Sequence, residues 1–351
     1  MAHAPLADAT SSSASPVIDI SPYLNGSATD TKSVAQELEQ ACRSHGFLTI
    51  AGHGVSQDLI SRMESVSRAF FDLPADIKER SRSKDPKVYR GYFGLAAFGA
   101  AYSRDDRAAP PDYSERFLVG RTVDSTDPYF NTDRARRIFA PNIWPDQPES
   151  FEQTWKQYYG AMDSLAKALL RICATALDLP EDWFANKFDK HNATFVAVNY
   201  PDQAKEPEPG QLRCGAHTDY GALTILKSED RPGGLEVLTG GDSWEAVSIT
   251  PGTFVVNLGD LMQLWTNDCW VSNLHRVSNP PRDAGVGTRR QSLVYFLHPN
   301  YDAVIECIPS CRRQGGAKYP PIVAIDHLMS KFAKMSDVAN TSADSTSSAR
   351  S

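Results

Sequence analysis

Leu223-Thr224-Ile225-Leu226, Phe254-Val255-Val256-Asn257 and Ser292-Leu293-Val294-Tyr295-Phe296 are short apolar segments parted by stretches rich in Pro and Gly. Runs of four or five β-branched and aromatic residues bounded by turn residues read as strands. Such runs recur from Ala193 to about Ile308, and many short strands with turn signals between them suggest a sandwich or a barrel. Upstream the pattern differs. Pro16-Val17-Ile18-Asp19-Ile20 reads as a short strand, and Val34, Leu38, Ala41 and Cys42 sit at helical spacing until His45-Gly46. Phe47-Leu48-Thr49-Ile50 is a buried strand stopped by Gly52-His53-Gly54. Leu59, Ile60, Met63, Val66 and Phe70 share one face of a second helix that Leu73-Pro74 breaks. Residues 85–148 have weak periodicity and read as long loops and short strands suited to substrate contacts. A long helix from about Glu149 to Leu177 carries Trp155, Tyr158, Met162, Leu165, Leu169 and Cys173 towards a core. A short helix closes the fold from Ile325 to Lys334. Residues 1–15 and the Ser/Thr/Ala-rich stretch 336–351 read as disordered, and no internal repeat is present.

At 351 residues and 41% hydrophobic content the chain can bury one large core or two smaller ones. Its net charge of −7 leaves no electrostatic footprint for nucleic acid or an anionic membrane. Arg134, Arg136 and Arg137 form the densest basic patch and read as a solvated face. No apolar run approaches the roughly 18 residues of a membrane span. Met1 to Ser15 lacks the charged start and apolar stretch of a signal peptide and the Arg of a mitochondrial presequence, and Ala349-Arg350-Ser351 is not the peroxisomal Ser-Lys-Leu; the expected compartment is the cytosol. Cys42, Cys173, Cys214, Cys269, Cys307 and Cys311 read as reduced thiols. Cys307 and Cys311 have no second pair to complete a structural zinc site.

His217-Thr218-Asp219, with His275 far downstream, supplies two imidazoles and a carboxylate. That is the ligand set of a non-haem iron(II) centre, which keeps three coordination positions open. On an extended chain positions 217 and 219 share a face. An His-x-Asp triplet alone is weak evidence, and a lone His275 is more often structural; their order at strand edges in the β-rich half gives the set its force. Cys214 has opposite parity to His217 and is expected to face away. Arg290 and Ser292 share parity, so a guanidinium fork and a hydroxyl can meet one carboxylate; the plain alternative is a surface strand. Tyr200 reads equally as a further donor there and as a core tyrosine. His53 and His298 are expected to be structural, and His3, His45, His191 and His327 have no evident partner. Phe93, Phe98, Tyr102 and Phe117 fit either an apolar ligand or core packing. Arg116 and Arg121 are expected at the surface, with a substrate carboxylate as the minor alternative.

These residues bring a resemblance. Ala216-His217-Thr218-Asp219, Gly233-Gly234-Leu235-Glu236-Val237, Val256-Asn257-Leu258-Gly259-Asp260, Leu274-His275-Arg276-Val277 and Arg290-Gln291-Ser292 occur in order. They are preceded by Pro16-Val17-Ile18-Asp19, Gly46-Phe47, His53-Gly54, Phe70-Phe71, Leu73-Pro74 and Arg90-Gly91-Tyr92. From about Pro16 to Phe332 the chain resembles the iron(II)- and 2-oxoglutarate-dependent dioxygenases of the isopenicillin N synthase-like family. The resemblance implies a mixed α/β fold with a mainly β core, a distorted double-stranded β-helix or jelly roll flanked by helices. It implies a leader region over 16–125, a connecting segment with the long helix over 126–192, the oxygenase core over 193–310, and a C-terminal segment and helix over 311–335. It implies iron on His217, Asp219 and His275, and 2-oxoglutarate held through its far carboxylate by Arg290 and Ser292 with Tyr200 nearby. O2 is the third reactant and ascorbate an accessory reductant. The implied reaction couples decarboxylation of the 2-oxo acid to hydroxylation, desaturation or cyclisation of a small molecule. An oxidase of the same fold that does without 2-oxoglutarate, and a non-catalytic binding protein, are the other readings. The loop between His275 and Arg290 is a few residues longer than in many plant members of that family, a departure that touches the Arg290 assignment. The loops over 92–117, the surroundings of Phe296 and the terminal helix are expected to line the pocket. Substrate identity and oligomeric state have no signature in the sequence.

Overall fold

Alternation along the strands governs what the sheets bury. The computed structural model describes residues 15–26, 28–104, 109–203, 205–240, 242–284, 287–312 and 315–334. The strands of its two larger sheets are β1 (Val17–Asp19), β2 (Phe47–Ala51), β3 (Gly91–Phe93), β4 (Glu115–Gly120), β5 (Asn192–Tyr200), β6 (Cys214–His217), β7 (Leu223–Ser228), β8 (Leu235–Thr239), β9 (Ser243–Ala246), β10 (Phe254–Leu258), β11 (His275–Val277) and β12 (Arg290–His298). One sheet runs β1-β2-β10-β7-β12-β5-β4-β3 and a smaller one runs β6-β11-β8-β9. All neighbours pair antiparallel except β1 and β2. The inner faces meet through Leu118, Val196, Val198 and Val294 against Cys214 and Val277, and through Val255 and Phe47 against Leu235 and Val237. This is the expected jelly roll with flanking helices.

The outer face of the large sheet is covered as well. Odd-numbered residues of β4, β5 and β12 pack beneath the helix Phe151–Ala176: Trp155 meets Phe117 at 5.1 Å and Phe195 at 4.9 Å, and Tyr159 meets Tyr295 at 5.3 Å. Burial on both faces explains why these strands read as unbroken apolar runs. Trp155, Tyr158, Met162, Leu165, Leu169 and Cys173 are all buried, as the helical period predicts. The helix Ala28–Ser44 ends where Gly46 takes φ +66° and passes so close to the Val271 carbonyl that a Cβ would sit 1.9 Å from its oxygen.

Phe117, left open between ligand and core, is fully buried under Phe70, Phe151 and Trp155 and belongs to the core. All six cysteines are free and buried. His191 pairs with Asp163 at 2.6 Å and His327 with Asp260 at 3.1 Å, partners invisible in the sequence because they lie 28 and 67 residues away. The expected disordered stretches fall outside the described residues, as does His3; Ser15, at the edge of the first, is buried and hydrogen-bonded to Thr49 at 2.9 Å. No helix among the described residues is long and apolar enough to cross a membrane.

Candidate metal centre and co-substrate cavity

His217 ends β6, Asp219 lies just beyond it, and β11 brings His275 directly opposite His217. One ligand atom from each of the three lies within 4.8 Å of the others, and Asp219 Oδ1 stands 3.7 Å from Nε2 of each imidazole. The remaining atoms are engaged. His217 Nδ1 donates to the Gly215 carbonyl at 2.8 Å and His275 Nδ1 to the Asn273 carbonyl at 3.1 Å. A carbonyl can only accept, so each neutral ring keeps its proton on Nδ1 and offers an Nε2 lone pair to the centre. Asp219 Oδ2 accepts from Thr224 Oγ1 and Asn257 Nδ2, both at 2.6 Å, which leaves Oδ1 for the centre. Burial, and then the neighbouring His275, pull the His217 pKa down to about 4, so the ring is neutral at pH 7. Burial works against ionisation of Asp219, but His275, His217 and the two donors outweigh it and hold the carboxyl below its usual range. Phe47 packs edge-on against His275 at 5.4 Å. Two imidazole nitrogens and a carboxylate oxygen on one edge fit a borderline divalent ion that keeps open positions.

Cys214 corrects the parity argument. A bulge between β6 and β11 sets His217 opposite His275 but Cys214 opposite Val277, so three residues of one strand span two of the other. The extra residue turns Cys214 towards the cavity, where its Sγ lies 4.0 Å from His217 Nδ1, on the side away from the lone pair. It remains outside the ligand cluster.

Arg290 opens β12 opposite Tyr200 on β5 and is 2% exposed. Its Nη1 donates to the carbonyls of Arg231 and Gly233, both at 3.0 Å, and its Nη2 to Ser228 Oγ at 3.0 Å, which lies 2.8 Å from Ser292 Oγ. Among the described residues no carboxylate forms an ion pair with it; burial lowers its pKa, and its charge faces the cavity beside Ser292 and Tyr200. A buried guanidinium held only by neutral acceptors is a receptor for an anion. Arg213, which sequence reading passed over, buttresses this end: fully buried, it donates to the carbonyls of Pro232 at 2.9 Å and of Thr288. The longer loop after His275 leaves Arg290 in register with Tyr200.

A family model described as the 2OG-Fe(II) oxygenase superfamily matches residues 192–299, and one described as the N-terminal part of the non-haem dioxygenase in morphine synthesis matches 15–147. The 2-oxoglutarate-Fe(II) type oxidoreductase hxnY of Emericella nidulans is 32% identical over 89% of this chain and 88% of its own length. The chain belongs to the 2OG-Fe(II) oxygenase superfamily. A homoarginine-6-hydroxylase of rice is 32% identical over 90% of this chain and 95% of its own length. The crystal structure of a full-length Neurospora crassa protein in complex with alpha-KG superposes with a TM-score of 0.79 at 28% identity, covering 91% of this chain and 96% of that one. The protein is a 2-oxoglutarate-dependent dioxygenase acting on small molecules, with iron(II) and O2 as the other participants.

The oxygenase encloses a cavity of about 1290 Å³. Phe93, Phe98, Tyr102, Phe296 and the helix over 324–334, through Leu328, Met329 and Phe332, line it as expected. Two residues stand elsewhere than expected. Arg116 is in the cavity wall, because β4 pairs with β5 and shares the inward parity of Val198. His298 also lines the cavity; burial lowers its pKa to about 4, so it is a neutral ring there. Thr224, Asn257 and Ser228 were missed as supporting residues. The signal for all three is a polar side chain at inward parity in a mainly apolar strand.

Proposed function

We propose that the oxygenase hydroxylates a small organic molecule, with His217, Asp219 and His275 holding iron(II). Arg290 and Ser292, beside Tyr200, receive the far carboxylate of 2-oxoglutarate. The observation that carries this is the convergence of two Nε2 atoms and Oδ1 while every other polar atom of the three ligands is engaged. Iron, when bound, supplies the Lewis acidity and redox chemistry that O2 activation requires, and 2-oxoglutarate supplies the two electrons that substrate oxidation does not. The chain orients and excludes. Thr224 and Asn257 keep Asp219 from rotating, the Nδ1 bonds fix both imidazole planes, and the cationic Arg290 sets the direction in which the 2-oxo acid enters. Val196, Val198, Leu118 and Phe296 keep the cavity apolar and so limit bulk water at the reacting carbon. Two relatives agree with this reading: the rice relative is named a homoarginine-6-hydroxylase, and the Neurospora protein has also been crystallised with alpha-KG and thymine. The six buried free thiols agree with the reducing cytosol.

The test is anaerobic. Iron(II) is added to the apo-protein, 2-oxoglutarate is titrated, and the visible metal-to-ligand charge-transfer band is followed. A saturable band, lost in His275→Ala and needing far more 2-oxoglutarate in Arg290→Ala, is expected. Iron bound in stoichiometric amount with no band would instead point to an oxidase that binds substrate directly.

A further inference from the structure

We propose that Arg116 is a specificity residue that binds the carboxylate of the substrate, so that the oxygenase takes an organic acid with an apolar or aromatic body. This deepens the function proposed above and rests on it. Arg116 projects from β4 on the inward face, and its guanidinium lies 4.7 Å from the centre of the Phe98 ring. Its Nη2 bonds Asp112 Oδ2 at 2.5 Å and lies 3.9 Å from Cys214 Sγ, which in turn lies 4.0 Å from His217 Nδ1. The fork is therefore two contacts from a ligand of the metal centre. Its Nη1 has no acceptor among the described residues, and the side chain, 17% exposed, lines the cavity.

The competing account is that Arg116 exists to neutralise Asp112. Asp112 is 2% exposed, and burial lifts its carboxyl above the usual range despite Arg116, but it also accepts from the amides of Gly215 at 2.9 Å and Ala100 at 3.2 Å, so Arg116 is one of three partners and commits only one arm to it. The pair is single-armed, which aims the fork and leaves its second arm uncommitted. Asp112 is thus a positioning residue for Arg116.

Charge around the cavity points the same way. Apart from the metal-site Asp219 and the co-substrate Arg290, the Lys, Arg, Asp and Glu residues that line it among the described residues are Arg82, Lys84, Lys87, Arg90, Arg116 and Arg137 against Asp85. Arg82 is paired with Glu79 and Arg116 with Asp112, both carboxylates outside the lining, yet Lys84, Lys87, Arg90 and Arg137 against Asp85 still leave a cationic excess in a chain of net charge −7. Such an excess draws anions in and raises their local concentration. The body of the acid is set by Tyr89 and Phe332, stacked at 4.9 Å, by Phe93 and Phe98 at 4.9 Å, and by Leu118, Val196 and Val198.

Calorimetry on the enzyme with iron(II) and 2-oxoglutarate, under nitrogen, tests it with 2-naphthylacetate, 4-phenylbutanoate and decanoate, each beside its primary amide. Acids are expected to bind at least tenfold more tightly than their amides. Arg116→Gln should weaken the acids by about 30-fold or more and leave the amides unmoved, the lower end of what losing one partner of a charged pair costs. Arg116→Lys should restore part of the preference. Because Arg116→Gln strands Asp112, the double change Asp112→Asn with Arg116→Gln is measured as well, with thermal melting to confirm folding. Equal binding of acids and amides, no binding of any acid, or acid affinity unchanged in Arg116→Gln would each overturn the assignment. The charge-transfer band is recorded in the same samples. Its absence in the wild type strikes the iron and 2-oxoglutarate reading, while the acid–amide preference still decides this one.

Discussion

Thr224→Val should loosen the grip on iron without touching a metal ligand. Thr224 Oγ1 and Asn257 Nδ2 are the two donors to Asp219 Oδ2, each at 2.6 Å, and all three residues are at least 95% buried. Valine keeps the shape of threonine and removes only the donor. A hydrogen bond to a charged group contributes about 1.5–3 kcal/mol. Loss of a group that orients a metal ligand costs about 10–100-fold in metal affinity, or roughly 1.4–2.8 kcal/mol. The two ranges coincide, so an iron(II) affinity lower by one to two orders of magnitude is expected. The effect has a sign in pH. With one donor gone the Asp219 carboxyl titrates higher and a proton competes better with the metal, so the deficit stays level between pH 7 and 6, where Asp219 is ionised in both proteins, and widens only as pH falls into the carboxylate range. The assay is anaerobic competition against a chromogenic iron(II) chelator, with Thr224→Ser as the control that keeps the hydroxyl. Iron affinity within twofold of wild type in a folded Thr224→Val protein would show that Oδ2 needs no anchoring and would refute the reasoning.

Two further predictions concern the packing around the cavity. Asp260 ties the helix over 324–334 to the core through His327 at 3.1 Å and Lys331 at 2.9 Å, and these partners, against the opposing effect of burial, hold its pKa at about 2. A depressed carboxyl contributes stability that is full above its unfolded value of about 3.9 and fades as pH falls towards about 2. Asp260→Asn should therefore cost roughly 1–3 kcal/mol at neutral pH and speed amide exchange across 324–334; unchanged protection there would dismiss the tether. Phe117→Ala should cost about 3–5 kcal/mol and lower the melting temperature, with iron and 2-oxoglutarate affinities kept. An unaltered melting temperature with a changed substrate preference would return Phe117 to the cavity.

The candidate metal site was legible because its residues are chemically narrow and its geometry is local. Few side chains suit an open iron(II) site, and the separation of His217 and Asp219 by one residue lets both reach one ion wherever the chain is extended. Arg290 and Ser292 were legible for the same reason, since parity within a strand holds whatever the strand pairs with. Cys214 shows where that logic stops. Its parity was read correctly for a regular strand, but the bulge opposite β11 is a property of two strands and leaves no mark in either.

By itself the sequence determined the β-rich core, the main helices before it, a candidate ligand set, and which residues share a face of a regular strand. These follow from periods of 2 and 3.6 and from the chemistry of single side chains. Only the tertiary structure decided which face looks onto what. Arg116 and Phe117 are neighbours on β4 with opposite fates: one lines the cavity beside the metal centre, the other is sealed beneath the long helix. Adjacent residues on a strand must point to opposite sides, but which side encloses the cavity is fixed by the second sheet and the helix that close over it, and those contacts come from residues far away along the chain.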